Sequence, residues 1–212
     1  PHGYGSYVME NVLFKVSFPA EFHAQTAVEC ALALHPAVPE RIADVDRVVL
    51  ETQEPAPRII DQTGPLANPA DRDHCLQYMT AIALVFGRLT AADYEDDVAR
   101  DPRVDALRER TLVRENVEFT EEYYDPGKRH IGNAVQVFFT DGTSTPRVRI
   151  DAPLGHRKRR AEGIPLLVKK FERSVAGHFA PAQAERIRAL FADRARLEAT
   201  AVHEFVAAMV KN

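Results

Sequence analysis

Lysine, hydroxyl, carboxylate and histidine side chains lie close together near the start of this sequence. Lys15, Ser17, Glu21 and His23 precede or begin a segment with helical periodicity. A lysine and a histidine beside a helix N-terminus can bind an anion, and a carboxylate and a histidine can move protons. The same spacing also fits a solvated loop that leads into a capped helix, so the residues alone leave both interpretations open.

Three further residues could contact a charged ligand. Arg58 lies in a proline-rich stretch after a predicted strand, where an arginine can bind a carboxylate through two hydrogen bonds. A surface ion pair is the alternative for this arginine. His74 and Tyr78 are spaced i, i+4, so a continuous helix places them on one face. That face could line a pocket, or its polar groups could be satisfied within half-buried packing.

Basic side chains follow one another in residues 155–160, and this run includes His156. Such a run suggests contact with phosphate or carboxylate groups, although a solvated charged face is the more common explanation. An acidic patch formed by Asp93 and residues 95–97 could pair with it. The sequence contains no G-x-S-x-G, P-loop, G-x-G-x-x-G or H-E-x-x-H motif.

Composition limits the classes of protein that fit the chain. The 212 residues carry 27 Lys and Arg against 31 Asp and Glu, a net charge of −4, which argues against nucleic acid as a partner. No apolar run approaches the roughly 20 residues of a membrane span, so we expect no membrane partner. Cys30 and Cys75 are too few for an iron–sulfur cluster or a cysteine-type zinc site. We expect two buried free thiols, no metal and a cytoplasmic protein.

The hydrophobic pattern predicts mixed α and β structure up to about residue 150 and helices beyond it. Asp141 and Gly142 predict a hairpin turn, and Gly87 is expected to end a helix. The predicted helices are 22–34, 71–86, a short one after Thr90, 101–110, 165–175, 181–193 and 198–210. The predicted strands are 45–52, 112–117, 133–140 and 147–150, and the stretch that contains Arg58 is expected to be a loop.

Long strings of the sequence resemble the MmgE/PrpD family, and the resemblance covers essentially the whole chain. The strings lie at residues 7–15, 17–23, 68–78, 86–96, 125–129, 141–142 and 155–165. Members of the family have an all-helical domain, built from their N-terminal half and their last helices, with a smaller α/β lid inserted between.

The resemblance therefore implies an α+β fold with three segments. Residues 1–14 are expected to end a helical-domain segment, residues 15–150 to form the α/β lid, and residues 151–212 to be the C-terminal helices of the helical domain. The chain starts with Pro1 and not with Met. We accordingly expect that the N-terminal half of the helical domain is absent from it.

The resemblance also implies a reaction, the removal of water from 2-methylcitrate to give 2-methyl-cis-aconitate in propionate breakdown. The family carries out this reaction without an iron–sulfur cluster, so no cofactor is expected. The expected partners are a small tricarboxylate substrate, the missing helical half and a second copy of the chain. Alternatives are decarboxylation of cis-aconitate, epimerisation of a dicarboxylate, or a carboxylate-binding module without activity of its own.

The family motifs imply roles for six residues. Lys15 matches a lysine that faces the active site, and it is expected to act as a carboxylate ligand or in proton transfer. His74 and Tyr78 match a His-x-x-x-Tyr segment of the lid, and His156 matches a Gly-His turn. His23 and Arg58 are expected to bind substrate as well, although relatives with other activities vary at these two positions.

Overall fold

A computed structural model of the chain describes residues 12–211. Residue contacts divide it into one unit up to Arg160 and a second from Ala161 onward, whereas the sequence changes character near residue 150. Of the expected segment 1–14, residues 1–11 lie outside the described part. The first unit mixes helices with one sheet, and the second contains helices, so the predicted α+β class is confirmed.

Four strands in the order β2-β1-β3-β4 form the sheet of the first unit. The strands are β1 (Val45–Thr52), β2 (Thr111–Glu115), β3 (Asn133–Phe139) and β4 (Val148–Ile150). β1 pairs with β2 in parallel, and the other two pairings are antiparallel. The crossover between β1 and β2 is helical, which is the usual connection between parallel strands.

Seven α-helices belong to the first unit and four to the second, within the part of the chain that the structure describes. They are α1 (Gln25–Leu34), α2 (Pro55–Ile60), α3 (Pro69–Asp73), α4 (Leu76–Phe86), α5 (Asp96–Ala99), α6 (Pro102–Glu109), α7 (Val117–Tyr124), α8 (Arg160–His178), α9 (Pro181–Ala192), α10 (Arg194–Ala199) and α11 (Val202–Ala208). α1 packs against α4 on one side and against β3 and β4 on the other, so it lies at the centre of the core.

The predicted core face of α1 is confirmed. Ala27, Cys30, Ala31 and Leu34 are all buried, as their i, i+3, i+4, i+7 spacing requires. Cys30 and Cys75 are both free and buried. Burial raises the pKa of the Cys30 thiol to about 12, so this sulfur is a neutral packing group.

The helix predicted over residues 71–86 is two helices, α3 and α4, and the single-helix prediction is wrong. The chain leaves helical geometry at His74 and becomes extended at Cys75, whose Sγ accepts a hydrogen bond from the Tyr78 amide. The thiol thus caps α4, a role that thiols rarely have. Because of this break, His74 and Tyr78 do not share the face of one helix.

The stretch around Arg58 was expected to be a loop and instead forms the short helix α2. Pro55 occupies the first helical position, where its missing N–H costs nothing, and Pro57 follows within the first turn. The prolines therefore start this helix and do not break it.

The second predicted strand is shorter than expected, because Asn116 ends it. The Asn116 side chain accepts a hydrogen bond from the Glu118 amide and caps α7, so Val117 is helical. The predicted turn at Asp141 and Gly142 is confirmed, with Gly142 at a φ of 83° and β4 antiparallel to β3.

The second unit contains four helices where three were predicted. Asp193 adopts extended geometry and caps α10 by accepting the Arg196 amide, which separates α10 from α9. α8 begins at Arg160 and contains Pro165, which was expected to start this helix. Val175, Ala184 and Ile187 form a small core of the unit. Among residues 12–211, no helix is long and apolar enough to cross a membrane.

Gly87 supports a stability prediction, because it ends α4 in the left-handed region at a φ of 64°. An added Cβ would lie 2.7 Å from the His35 imidazole. We expect Gly87→Ala to lower the free energy of unfolding by about 2 kcal/mol, combining backbone strain with displacement of this ring. Gly64→Ala is the control, since nothing lies within 4 Å of its added Cβ. Equal urea-unfolding curves for the two variants would contradict the predicted strain at position 87.

Candidate active site

One edge of the sheet collects polar side chains from several parts of the chain. The carboxyl ends of the parallel strands β1 and β2 meet there, and Thr52 at the end of β1 pairs with Asn133 at the start of β3. Asn133 Nδ2 donates to the carbonyl oxygen of His23 at 2.8 Å and to Thr26 Oγ1 at 2.7 Å. These two hydrogen bonds therefore anchor the turn that carries His23 to this edge of the sheet.

Glu21 and His23 form a carboxylate–imidazole pair within this turn. Glu21 Oε2 accepts the backbone N–H of His23 at 2.7 Å, and Oε1 lies 2.9 Å from Nδ1 of the ring. The side chains of His23 and Glu21 are only 12% and 16% exposed. Burial by itself raises the pKa of Glu21, but the hydrogen bonds and charge of His23 hold that pKa below its ordinary value. The carboxylate is therefore ionised at neutral pH.

A chain of contacts leads from His23 to Arg58. The ring of Tyr123 lies 5.8 Å from that of His23, and Tyr124 packs edge-on against Tyr123 at 5.2 Å. The Tyr124 hydroxyl donates to Glu54 at 3.0 Å, and Glu54 forms an ion pair with Arg58. His23 and Arg58 are thus linked only through three intervening side chains, those of Tyr123, Tyr124 and Glu54.

Lys15 belongs to the same neighbourhood. Its Nζ lies 4.8 Å from the centre of the Phe22 ring, next to His23 in the chain. The preceding residue, Phe14, donates its backbone N–H to the carbonyl of Gly155 at 3.2 Å. A Cβ at position 155 would lie 1.6 Å from the Phe14 oxygen, so only glycine permits this approach.

His156 is a buried residue with both ring nitrogens engaged. Nε2 donates to the carbonyl of Arg129 at 3.0 Å, and Nδ1 accepts the Lys158 amide at 3.2 Å. Burial lowers the pKa of His156, and the nearby positive charges act in the same direction. The ring is neutral and holds two loops together.

The sequence left open whether the basic run pairs with the acidic patch, and Arg157 and Arg159 of that run contact other parts of the first unit. Arg157 donates to the carbonyl of Gly127 at 2.8 Å, and Arg159 forms an ion pair with Glu29 at 2.8 Å. The acidic residues bind other arginines, Asp93 with Arg88 and Asp96 with Arg72. These cations are held by neighbouring loops and helices of the first unit.

A second carboxylate–histidine pair lies beside His156. His130 Nδ1 is 3.0 Å from Glu122 Oε2, and Lys158 Nζ donates to His130 Nε2 at 3.0 Å. Glu122, His130 and Asp151 lie close enough to share a metal ion. Cations already neutralise both carboxylates, Lys128 at Glu122 and Arg149 at Glu122 and Asp151. This charge balance disfavours a metal there.

α4, which contains Tyr78, packs against the turn that carries His23. In the described part of the chain, however, neither His74 nor Tyr78 shares a hydrogen bond, ion pair or ring contact with the Glu21–His23 pair. His74 is exposed and bonds to Asp73 at 2.5 Å, whereas the buried Tyr78 donates to the Asp93 carbonyl at 2.6 Å. Burial raises the pKa of Tyr78 to about 12.

Tyr78 also borders an open cavity of about 570 Å³. Arg72 and Arg108 line this cavity, but each is bonded to a carboxylate, Asp96 and Asp105 respectively. The paired guanidinium groups leave little net charge for an anion.

Sequence reasoning missed Tyr123, Asn133 and Gln53, which all lie at the sheet edge. Tyr123 belongs to α7, a helix that the sequence pattern did not reveal. Asn133 begins a strand that was predicted correctly and Gln53 directly follows another, so a polar residue at a buried strand end was the available signal.

Comparison with known proteins decides the family. Residues 18–195 match the MmgE/PrpD C-terminal domain. The chain belongs to the MmgE/PrpD family. It is 56% identical over 206 residues to the 2-methylcitrate dehydratases of Salmonella typhimurium and of Escherichia coli K12. A relative from Yarrowia lipolytica, "2-methylcitrate dehydratase, mitochondrial", is 54% identical over 189 residues.

The matched region is only a part of these relatives. The alignments cover 96% of this chain but 43% of each of the two bacterial proteins, and 88% of this chain but 36% of the Yarrowia protein. The chain therefore spans less than half the length of the curated MmgE/PrpD members it matches.

The buried neutral His156 predicts a pH dependence of stability. Its pKa is lower in the folded than in the unfolded state, so below about pH 6.5 the unfolded state binds more protons. We expect the free energy of unfolding to fall as pH drops from 7 to 5, and His156→Gln to flatten this slope. His203→Gln, at an exposed position, is the control. Urea unfolding at several pH values measures the slopes, and an unchanged slope in His156→Gln rejects the assignment.

Proposed function

We propose that this chain is the C-terminal part of a 2-methylcitrate dehydratase, which removes water from 2-methylcitrate to form 2-methyl-cis-aconitate. The observation that carries the proposal is 56% identity to proteins of that name over 96% of the chain. The Glu21–His23 pair at one sheet edge, with Lys15 over the adjacent Phe22 ring, supports it, since these groups suit a substrate with several carboxylates.

The reaction needs a base, an acid and fixed positive charge. A base removes the proton α to a carboxylate, and an acid protonates the leaving hydroxyl. Negative charge builds on that carboxylate in the transition state, and a positioned cation stabilises it. Lys15 is proposed to bind a carboxylate or to transfer a proton, while Arg58 and His23 are proposed to contact the substrate.

The other three residues assigned from the family motifs have partners within the fold. The hydrogen bonds of Tyr78 and His156 account for both side chains as parts of the fold, and His74 is paired with Asp73. A role in substrate binding stays a prediction for these three residues. The remainder of the enzyme, a homodimer and a cytoplasmic location are proposals that rest on the family resemblance.

Lys15 provides the direct test of this proposal. In the full-length enzyme we expect Lys15→Met to lower kcat/KM for 2-methylcitrate by at least about 100-fold, because a cation that faces the developing charge is lost. Lys169→Met, which removes an exposed lysine of α8, is the control. Activity is followed by the absorbance of the unsaturated product.

Parallel assays with cis-aconitate and with dicarboxylates decide among the activities of the family. A wild-type enzyme that decarboxylates or epimerises, and does not dehydrate 2-methylcitrate, would reject the proposed reaction. Citrate binding without any turnover would instead support a carboxylate-binding module.

Exposed apolar side chains in the second unit suggest that the rest of the enzyme covers it. Val202 is 79% exposed and Val206 is 55% exposed, both on one side of α11. We expect Val202→Glu in the full-length enzyme to lower the free energy of unfolding by about 2 kcal/mol or more, because a charge would be buried. Glu204→Lys on the other side of α11 is the control. A shift within about 0.5 kcal/mol for Val202→Glu, as at an ordinary surface, would show that nothing covers α11.

A further inference from the structure

We propose that Nε2 of His23 is the atom that takes the substrate proton, and that Glu21 is the positioning residue that fixes the tautomer and orientation of this ring. The inference rests on the proposed function, which it deepens by assigning the base.

The hydrogen bonds determine which ring nitrogen carries the proton. A carboxylate only accepts hydrogen bonds, so Nδ1 of His23, at 2.9 and 3.0 Å from the two Glu21 oxygens, must donate. In the neutral ring Nε2 then carries a lone pair, and within residues 12–211 it has no hydrogen-bond partner. A carboxylate that orients an imidazole in this way also stabilises the imidazolium that forms when the ring accepts a proton.

The ring is held from two further directions. Tyr123 of α7 packs against it, and Asn133 of β3 holds the backbone carbonyl of His23. Rigid support of this kind keeps a base in productive geometry. His23 and Glu21 therefore satisfy the geometric requirement for a base and its orienting group.

Buried polar atoms without a partner occur in the loop before His23 and at the strand ends near it. Six buried side-chain atoms among the described residues have no hydrogen-bond partner, and three of them are Ser17 Oγ, Gln53 Nε2 and Asn133 Oδ1. A buried polar group without a partner costs about 1–3 kcal/mol, so such atoms point to bound water or to a ligand.

The proposed step balances within this set of groups. Nε2 of His23 takes the proton from the carbon α to a carboxylate, and the C–H electron pair forms the C=C bond. The C–O bond to the hydroxyl breaks, and its electron pair leaves with the oxygen. The Lys15 ammonium donates a proton to that oxygen, so water leaves, and the lysine and histidine later exchange protons with solvent.

The groups around the ring that bear on its pH dependence come from the turn itself and from the elements packed near it. Glu21 lies on the turn, and Tyr123 faces the ring from α7. Lys15 lies over the neighbouring Phe22 ring. α2 and α4 both pack against the turn, and they carry Arg58 and Tyr78 respectively. Asn133 of β3 is uncharged. Glu21 is the one negative charge in direct contact with the imidazole among the described residues.

The experiment is a pH–rate profile of the full-length enzyme with 2-methylcitrate. We expect Glu21→Gln to lower kcat by about 100-fold with KM changed less than about threefold, since the loss falls on the transition state. The acidic limb of kcat/KM should move to lower pH, because the imidazolium loses its carboxylate. Glu21→Asp should recover part of kcat. His23→Asn should remove the acidic limb together with more than about 99% of kcat.

Glu121→Gln, at an exposed position of α7, is the matched control and should leave the profile unchanged. Melting temperatures of all variants show whether they fold. If Glu21→Gln does not fold, ¹⁵N NMR of the His23 ring in the wild-type enzyme replaces it, with the Nδ1–H tautomer as the expected result. A dominant Nε2–H tautomer overturns the inference.

The outcomes separate the inference from the function it rests on. If the wild-type enzyme turns over 2-methylcitrate and the Glu21→Gln variant has the same kcat and the same acidic limb of kcat/KM, the role of Glu21 alone is overturned. A loss confined to KM shows that the pair only binds substrate and overturns the inference as well. A wild-type enzyme without dehydratase activity overturns the proposed function, while the NMR result still decides the tautomer.

Discussion

The Asn133 side chain makes two hydrogen bonds from one nitrogen, to the carbonyl of His23 and to the hydroxyl of Thr26. Thr26 in turn donates to the carbonyl of Ile131, two residues before Asn133, at 2.7 Å. These bonds lie in a buried environment, where losing one partner costs more than the bond contributes. They connect the start of β3 to the start of α1, and the position of the Glu21–His23 turn depends on that connection.

The described structure contains two largely buried carboxylate–histidine pairs besides the exposed Asp73–His74 pair, and of the buried two only the pair at His23 leaves a ring nitrogen available. At His130, Glu122 occupies Nδ1 and Lys158 occupies Nε2. At His23, Glu21 occupies Nδ1, and Nε2 has no partner in residues 12–211. Charge alone does not distinguish these pairs. The difference lies in the third group, which makes the pair at His130 a structural network and the pair at His23 a candidate base.

Much of the fold could be predicted where a local rule decides the structure. Gly87 ends α4 in the left-handed region, and Asp101 caps α6 ahead of Pro102, as their residue types require. The break between α3 and α4 could not be predicted, because it depends on the Cys75 thiol as a cap. The helical spacing of apolar residues continues across α3 and α4, but the thiol cap interrupts the helix between them.

The candidate site could be predicted only in part, for a related reason. Lys15, Glu21 and His23 are neighbours in the sequence, so their cluster was visible as a pattern. Tyr123 and Asn133 reach the same place only through the helix α7 and the pairing of β3 with β1. Contacts between residues about a hundred positions apart carry no local signal, and this is the part of the site that sequence reasoning missed.

The charge of the chain makes Arg58 a more plausible substrate ligand than its ion pair suggests. A net charge of −4 does not attract a tricarboxylate, so binding depends on local cations. The Arg58 side chain is 77% exposed and that of its partner Glu54 is 25% exposed, so solvent screens the arginine's end of the pair. A substrate carboxylate can replace Glu54 at Arg58, because Glu54 keeps the hydrogen bond from the Tyr124 hydroxyl. Arg159 pairs with Glu29, whose side chain is only 11% exposed, and a similar exchange there would separate this more buried carboxylate from its arginine.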